Sequence, residues 1–194
     1  MFYCKSASQV MLIQFINKCD DHTDNAAVML FETLQFHQAK LETPWRIYDM
    51  FATMPSNFEL ETFEFKPGRF SISLSDKTET VSLYRFSPAD VILKKESLGD
   101  FSQTLFKDDI NKLGLSIAEL EYETGATCMF GQEKKPSTAT LALSKLSSKR
   151  RPYGQIEIRY TEESNRILAV MVSSRHPLPE DRAKSIFNHY EIIQ

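Results

Sequence analysis

The residues best equipped for chemistry are scattered along the chain. The densest group of metal-ligand types is Cys19-Asp20-Asp21-His22. A metal site needs several converging donors and a supporting layer of hydrogen bonds. This segment reads instead as a polar loop between a strand and a helix, and no metal or other cofactor is expected. His37 and His189 fall in or beside predicted helices, where a surface imidazole is the simpler reading. Arg85 is more informative, because alternation from Val81 and Leu83 turns it toward the inward face of a strand. A guanidinium there needs a carboxylate or a bound anion. Asp49 and Asp90 are both candidates; the competing reading ends the strand at Tyr84 and turns Arg85 to solvent.

Trp45, Tyr48 and Phe51, followed by Phe58, Phe63 and Phe65, form an aromatic-rich stretch. Its readings are core, lipophilic pocket or subunit interface. Arg85, Trp45, Tyr48 and Phe51 make up the candidate ligand-binding set. Lys149, Arg150 and Arg151 are the candidate polyanion contacts. They close a run, from Lys134 to Ile156, in which Lys134, Lys135 and Lys145 are the other charged residues and no acid occurs. The rest of the chain is acidic, for the net charge is −3. Aromatics are not regularly interleaved with these cations, so nucleic acid is not the expected partner.

The six glycines fall at turns, caps and strand ends, and none builds a phosphate-cradling loop. G-x-S-x-G and H-E-x-x-H are also missing, which removes the familiar hydrolase fingerprints. The expected function is a non-catalytic interaction or assembly module, with an unknown protein or a second copy as partner. Two alternatives stand beside it: a small-molecule or lipid carrier with an aromatic-lined pocket anchored by Arg85, and a polyanion binder.

The elements that must position these residues follow from composition and period. A chain of 194 residues with 42% hydrophobic and 25% charged residues can bury a sizeable core without staples. Cys4, Cys19 and Cys128 share no disulfide-like spacing, which fits a reducing compartment. No apolar run approaches the ~18 residues of a membrane span. A cytoplasmic protein is expected, with no membrane partner.

Glu61 to Lys66, the Pro67-Gly68 turn, and Phe70, Ile72 and Leu74 alternating with Ser71, Ser73 and Ser75 predict an antiparallel meander continuing through Val81 to Phe86. Ser87 is expected to cap a helical turn with Pro88 at its first position, and Ser97 to cap a helix ending at Gly114. Thr138 to Leu146 fits helix or strand. The closing residues predict strands Ile156 to Tyr160 and Ile167 to Val172. A helix follows with Pro179 at its start and Ala183, Ile186, Phe187 and Tyr190 on one stripe.

That closing hairpin and helix align without a gap on Phe2 to Gln38, matching Leu12 to Leu168, Ala27 to Ala183 and Phe31 to Phe187. The opening segment therefore reads as a partial repeat with its own amphipathic helix, Ala27, Leu30, Phe31 and Leu34 forming the stripe. The division expected is residues 1–40, the hairpin-helix, and 41–194, the sheet domain. From Trp45 to Gln194 the order of elements resembles PsbP-like domains: Pro55 followed by Phe58, the Phe65-Lys66-Pro67-Gly68-Arg69-Phe70 turn, a helix, further strands and a C-terminal helix. The resemblance implies an antiparallel sheet flanked by helices and a binding or assembly role, and transfers no functional residues. The fold class expected is α+β, a mainly antiparallel twisted sheet with amphipathic helices packed on it.

Overall fold

A computed structural model describes residues 2–4, 9–11, 25, 28–29, 42–121, 127–132, 136–147 and 150–193. The chain divides into two compact units, Met1–Lys40 and Leu41–Gln194. In the first, β1 (Phe2–Cys4) and β2 (Gln9–Met11) pair antiparallel, Tyr3 opposite Val10. Asn25, Val28 and Met29 are helical. The Cys19 to His22 loop, His37 and the proposed stripe of Ala27, Leu30, Phe31 and Leu34 lie outside the described residues.

The second unit is α+β. Its large sheet contains β5 (Glu59–Lys66), β6 (Arg69–Ser75), β7 (Glu79–Phe86), β8 (Leu115–Glu121), β9 (Thr127–Gln132), β10 (Tyr153–Thr161) and β11 (Arg166–Ser174). All pair antiparallel, in the order β5-β6-β7-β11-β10-β9-β8. A smaller sheet, β12-β4-β3, is built from β3 (Glu42–Ile47), β4 (Met50–Pro55) and β12 (Tyr190–Ile192). Among the described residues no helix is long and apolar enough to cross a membrane.

Strand alternation sorts side chains into two cores. On one face of the large sheet, Ile72, Leu74, Val81, Leu83, Leu168, Val170 and Val172 pack against Met50, Ala52 and Met54 of the small sheet and against Ala183, Ile186 and Phe187. On the other face, Phe86, Ile156, Ile158, Ile167 and Ala169 lie under Ala89, Leu98, Phe106 and Leu113. Those last residues belong to α1 (Ala89–Leu93), α2 (Leu98–Leu105), the Phe106 link and α3 (Lys107–Leu113). Burying both faces of the central strands explains why β11 reads as an unbroken apolar run.

The local signals hold in part. The Ser97 hydroxyl caps α2 by accepting from Asp100 N, and Gly114 closes α3 in the left-handed region at φ 63°. Thr138–Leu146 is a helix, α4, capped by Ser137. Ser87 is not a cap. The N-terminus of α1 is capped from the β10–β11 turn, where Asn165 Oδ1 accepts from Asp90 N at 2.8 Å and Asn165 O from Ala89 N at 3.1 Å. The last helix, α5 (Arg182–Phe187), starts after Asp181 and is shorter than the stripe predicts. Tyr190 instead opens β12, yet remains buried in the same core.

Candidate interaction surface

Arg85 does lie on the inward face. Its strand continues to Phe86, and its register opposite Leu168 and Phe70 places it with the first core. Only 8% of the residue is exposed. Of the two candidate partners, Asp49 is the one used: its Oδ2 accepts from Arg85 Nε at 3.1 Å and Nη2 at 2.5 Å. Arg166 Nε donates to the same oxygen at 3.3 Å. Asp90 is engaged by Asn165 Nδ2 at 2.8 Å, and that hydrogen bond is the main reason its carboxyl sits below the usual range. Two guanidiniums thus share one carboxylate, whose Oδ1 is buried and without a hydrogen-bond partner.

Asp49 stands in the two-residue turn that joins Ile47 to Met50, and Tyr48 is the other turn residue. Tyr48 has φ 54°, the left-handed region that costs an ordinary residue roughly 1–2 kcal/mol. The residue stays 68% exposed. The ring rests on two others, 4.8 Å from Phe70 and 5.5 Å from Phe65. Phe65 in turn contacts Phe63 at 5.3 Å, and the Arg85 guanidinium lies 4.9 Å from the Phe70 ring centre.

This aromatic group continues the first core past the end of its cover. Ile72 and Leu74 on β6 are buried, while their cross-strand neighbours Phe63 and Leu60 on β5 are exposed, Phe63 to 63%. The small sheet and α5 therefore seal the strands inside β5 and leave the apolar side of β5 open. β5 is the outermost strand of the sheet, and among the described residues no strand pairs with its second edge. Tyr48, Phe63 and Phe65, all exposed, meet on one surface at the outermost described strand.

The other candidates are dispersed. Trp45, opposite Ala52, packs inward against the first core, whereas Phe51, next along β4 and opposite Arg46, belongs to the other face of the small sheet. The Arg151 Nη2 donates to the carbonyls of Asp76 at 3.2 Å and Glu79 at 3.5 Å, holding the β6–β7 turn. Arg150 is exposed, and Lys149, Lys134 and Lys135 lie outside the described residues. His176 and His189 are exposed. No group of three or more His, Cys, Asp or Glu could hold a metal among the described residues.

Among the described residues, two clefts lie elsewhere. The larger, of about 810 Å³, lies where β9 and β10 meet the loop before α5 and is lined by Met129, Tyr153, Gln155 and Leu178 among others. The smaller, of about 260 Å³, has a floor of Thr62, Ser73, Thr80 and Ser173 beside α3. Neither is lined by Arg85, Trp45, Tyr48 or Phe51. From sequence, Phe70 reads only as an alternating strand residue and Arg166 is not singled out; alternation from Leu168 would have aimed Arg166 inward. No protein-family model matches the sequence, and no match to it is found among curated proteins.

Proposed function

We propose that the chain is a non-catalytic protein-interaction module whose contact surface is the open side of β5 with Tyr48, Phe63 and Phe65. The observation that supports this most strongly is Tyr48, an exposed aromatic residue held in a left-handed turn conformation. The two-residue hairpin turn itself demands the positive φ, and what favours a role beyond the fold is that an exposed aromatic rather than Gly, Asn or Asp fills the position. The contiguous exposed apolar side chains beside it fit a protein contact. The resemblance of the element order to PsbP-like domains supports the same reading.

The test is the native mass of the particle isolated gently from its own cells, compared with that of Phe63→Gln. A stoichiometric protein partner, lost in the variant, is expected. A bare chain in both cases would contradict the reading. The 810 Å³ cleft favours a second reading, a small-molecule carrier. Its signature in the same measurement is a small added mass that persists in Phe63→Gln.

A further inference from the structure

We infer that the smaller cleft, beside α3, binds a zwitterionic small molecule of the α-amino acid class with a polar, uncharged side chain. The site is independent of the interaction surface proposed above: it lies on the side of the sheet opposite Phe63 and Phe65.

Strand register builds its floor. Thr62 of β5 stands opposite Ser73 of β6, and Ser73 opposite Ser82 of β7, where the two serine hydroxyls meet at 2.7 Å. Two residues before Ser82, Thr80 stands opposite Ser173 of β11. Directly opposite residues share a face of the sheet, as do residues two apart on one strand. These hydroxyls therefore form two rows on the face that carries the second core. Elsewhere that face is apolar, with Phe86, Ile158 and Ile167 under the helices. Here it presents groups that both donate and accept, which suits a ligand with hydrogen-bonding groups of its own. The volume of about 260 Å³ is the share of roughly nine waters in the liquid, enough for an amino acid and below the drug-sized range.

The charges at the cleft then select the ligand. Four charged side chains line it, Glu61 and Asp109 against Lys112 and Arg151. Among the described residues none of the four forms an ion pair. The hydrogen bonds of Arg151 go to backbone carbonyls, which leave its charge unneutralised. Glu61 and Arg151 both come to Thr80. Its hydroxyl donates to Glu61 Oε2 at 3.4 Å, and the carbonyl of the preceding residue, Glu79, accepts from Arg151 Nη2 at 3.5 Å. Asp109 and Lys112 lie three residues apart on α3, hence on one side of the helix. A ligand of one sign would meet two like charges, and a phosphate would suffer most from the two acids. A carboxylate and an ammonium carried on one carbon answer both pairs.

L-serine, L-threonine, L-asparagine and L-glutamine are titrated into the full chain by calorimetry, with ligand-observed NMR for weak binding. The tightest is then compared with its N-acetyl form, which lacks the ammonium, with its amide, which lacks the carboxylate, and with L-leucine, a zwitterion with an apolar side chain. At least one of the four is expected to half-saturate the chain below about 1 mM, and to bind at least about tenfold more tightly than each comparison compound. Glu61→Gln should weaken that amino acid about tenfold and leave the N-acetyl form unchanged, while Thr62→Val should weaken both. Glu61 and Thr62 are exposed, so an unchanged melting temperature verifies that these variants fold.

Failure of all four amino acids to half-saturate the chain by about 1 mM would overturn the inference, as would equal affinity for any comparison compound. Unchanged affinity in both variants would place the amino acid elsewhere on the chain and overturn it too. Inorganic phosphate that displaces the amino acid and binds more tightly would make the cleft an anion site instead. Phe63→Gln is expected to leave every one of these affinities unchanged, so the titrations and the native-mass comparison fail or succeed separately.

Discussion

The Asp49 carboxylate and the Arg85 guanidinium, 36 residues apart, are joined by two hydrogen bonds through the single oxygen Oδ2. The pair fastens the tip of the β3–β4 hairpin to the large sheet, directly behind the Phe70 ring on which Tyr48 rests. Removing the acid leaves a buried guanidinium without its carboxylate. Asp49→Ala is therefore expected to cost about 3 kcal/mol, seen in urea unfolding as a lower midpoint. Replacing both partners by apolar residues, Asp49→Leu with Arg85→Met, should cost clearly less than Asp49→Ala alone. Equal losses would mean that the pair is not the tether.

Tyr48 predicts the opposite sign from an ordinary truncation. Glycine relieves roughly 1–2 kcal/mol of left-handed strain, against about 1 kcal/mol lost from an exposed aromatic contact. Tyr48→Gly should leave the melting temperature unchanged or raise it by a few degrees, while weakening partner binding. A large drop would make Tyr48 a structural residue and remove the main support for the functional reading.

Two acids give opposite pH signatures. Burial acts on Asp76 to raise its pKa, but the hydrogen bonds it accepts from the Glu79 and Thr78 backbone N–H groups, from the Thr78 hydroxyl and from Asn57 prevail, so the carboxyl titrates below its ordinary 3.8. The stability this confers is present above the unfolded value and is lost as pH falls through the lower folded one. Asp76→Asn should therefore cost stability at pH 7 and progressively less in acid. Asp109 is raised, chiefly by burial, so its ionisation opposes folding above the raised value. Asp109→Asn should raise the melting temperature at pH 7, with the gain fading as pH falls toward the unfolded value. Melting curves from pH 2 to 7 for both variants check the signs.

Gly154 is required by contact with a helix. A Cβ there would stand 2.5 Å from Leu113 Cδ1, at the end of α3. Gly154→Ala should cost about 1–3 kcal/mol, and Leu113→Ala in the same chain should make the added methyl less harmful. Additive losses in the double variant would show that Leu113 is not the obstacle.

The meander was legible because Phe70, Ile72 and Leu74 alternate with serines around an unmistakable Pro67-Gly68 turn, and its strands pair accordingly. The inward aim of Arg85 followed from the same period. Its partner did not: Asp49 arrives on a separate hairpin, and nothing local separates it from Asp90. Tyr190 was misread because a residue three places after Phe187 satisfies a helical stripe equally well, and burial alone cannot tell β12 from another helical turn. The open surface was the least legible part. Phe63 and Phe65 alternate with charged residues as in a half-buried strand, and only the sheet order shows that β5 is outermost and that the cover stops at β6.

The most direct measurement places a photoreactive benzoylphenylalanine at position 63 of the full chain in its own cells, with the same group at Val91, which is exposed on α1, as the control. Irradiation is expected to give one protein adduct of defined mass from position 63 and none from position 91. Identical adduct patterns from the two positions, or no adduct from either, would contradict the claim that the β5 surface is where this protein meets its partner.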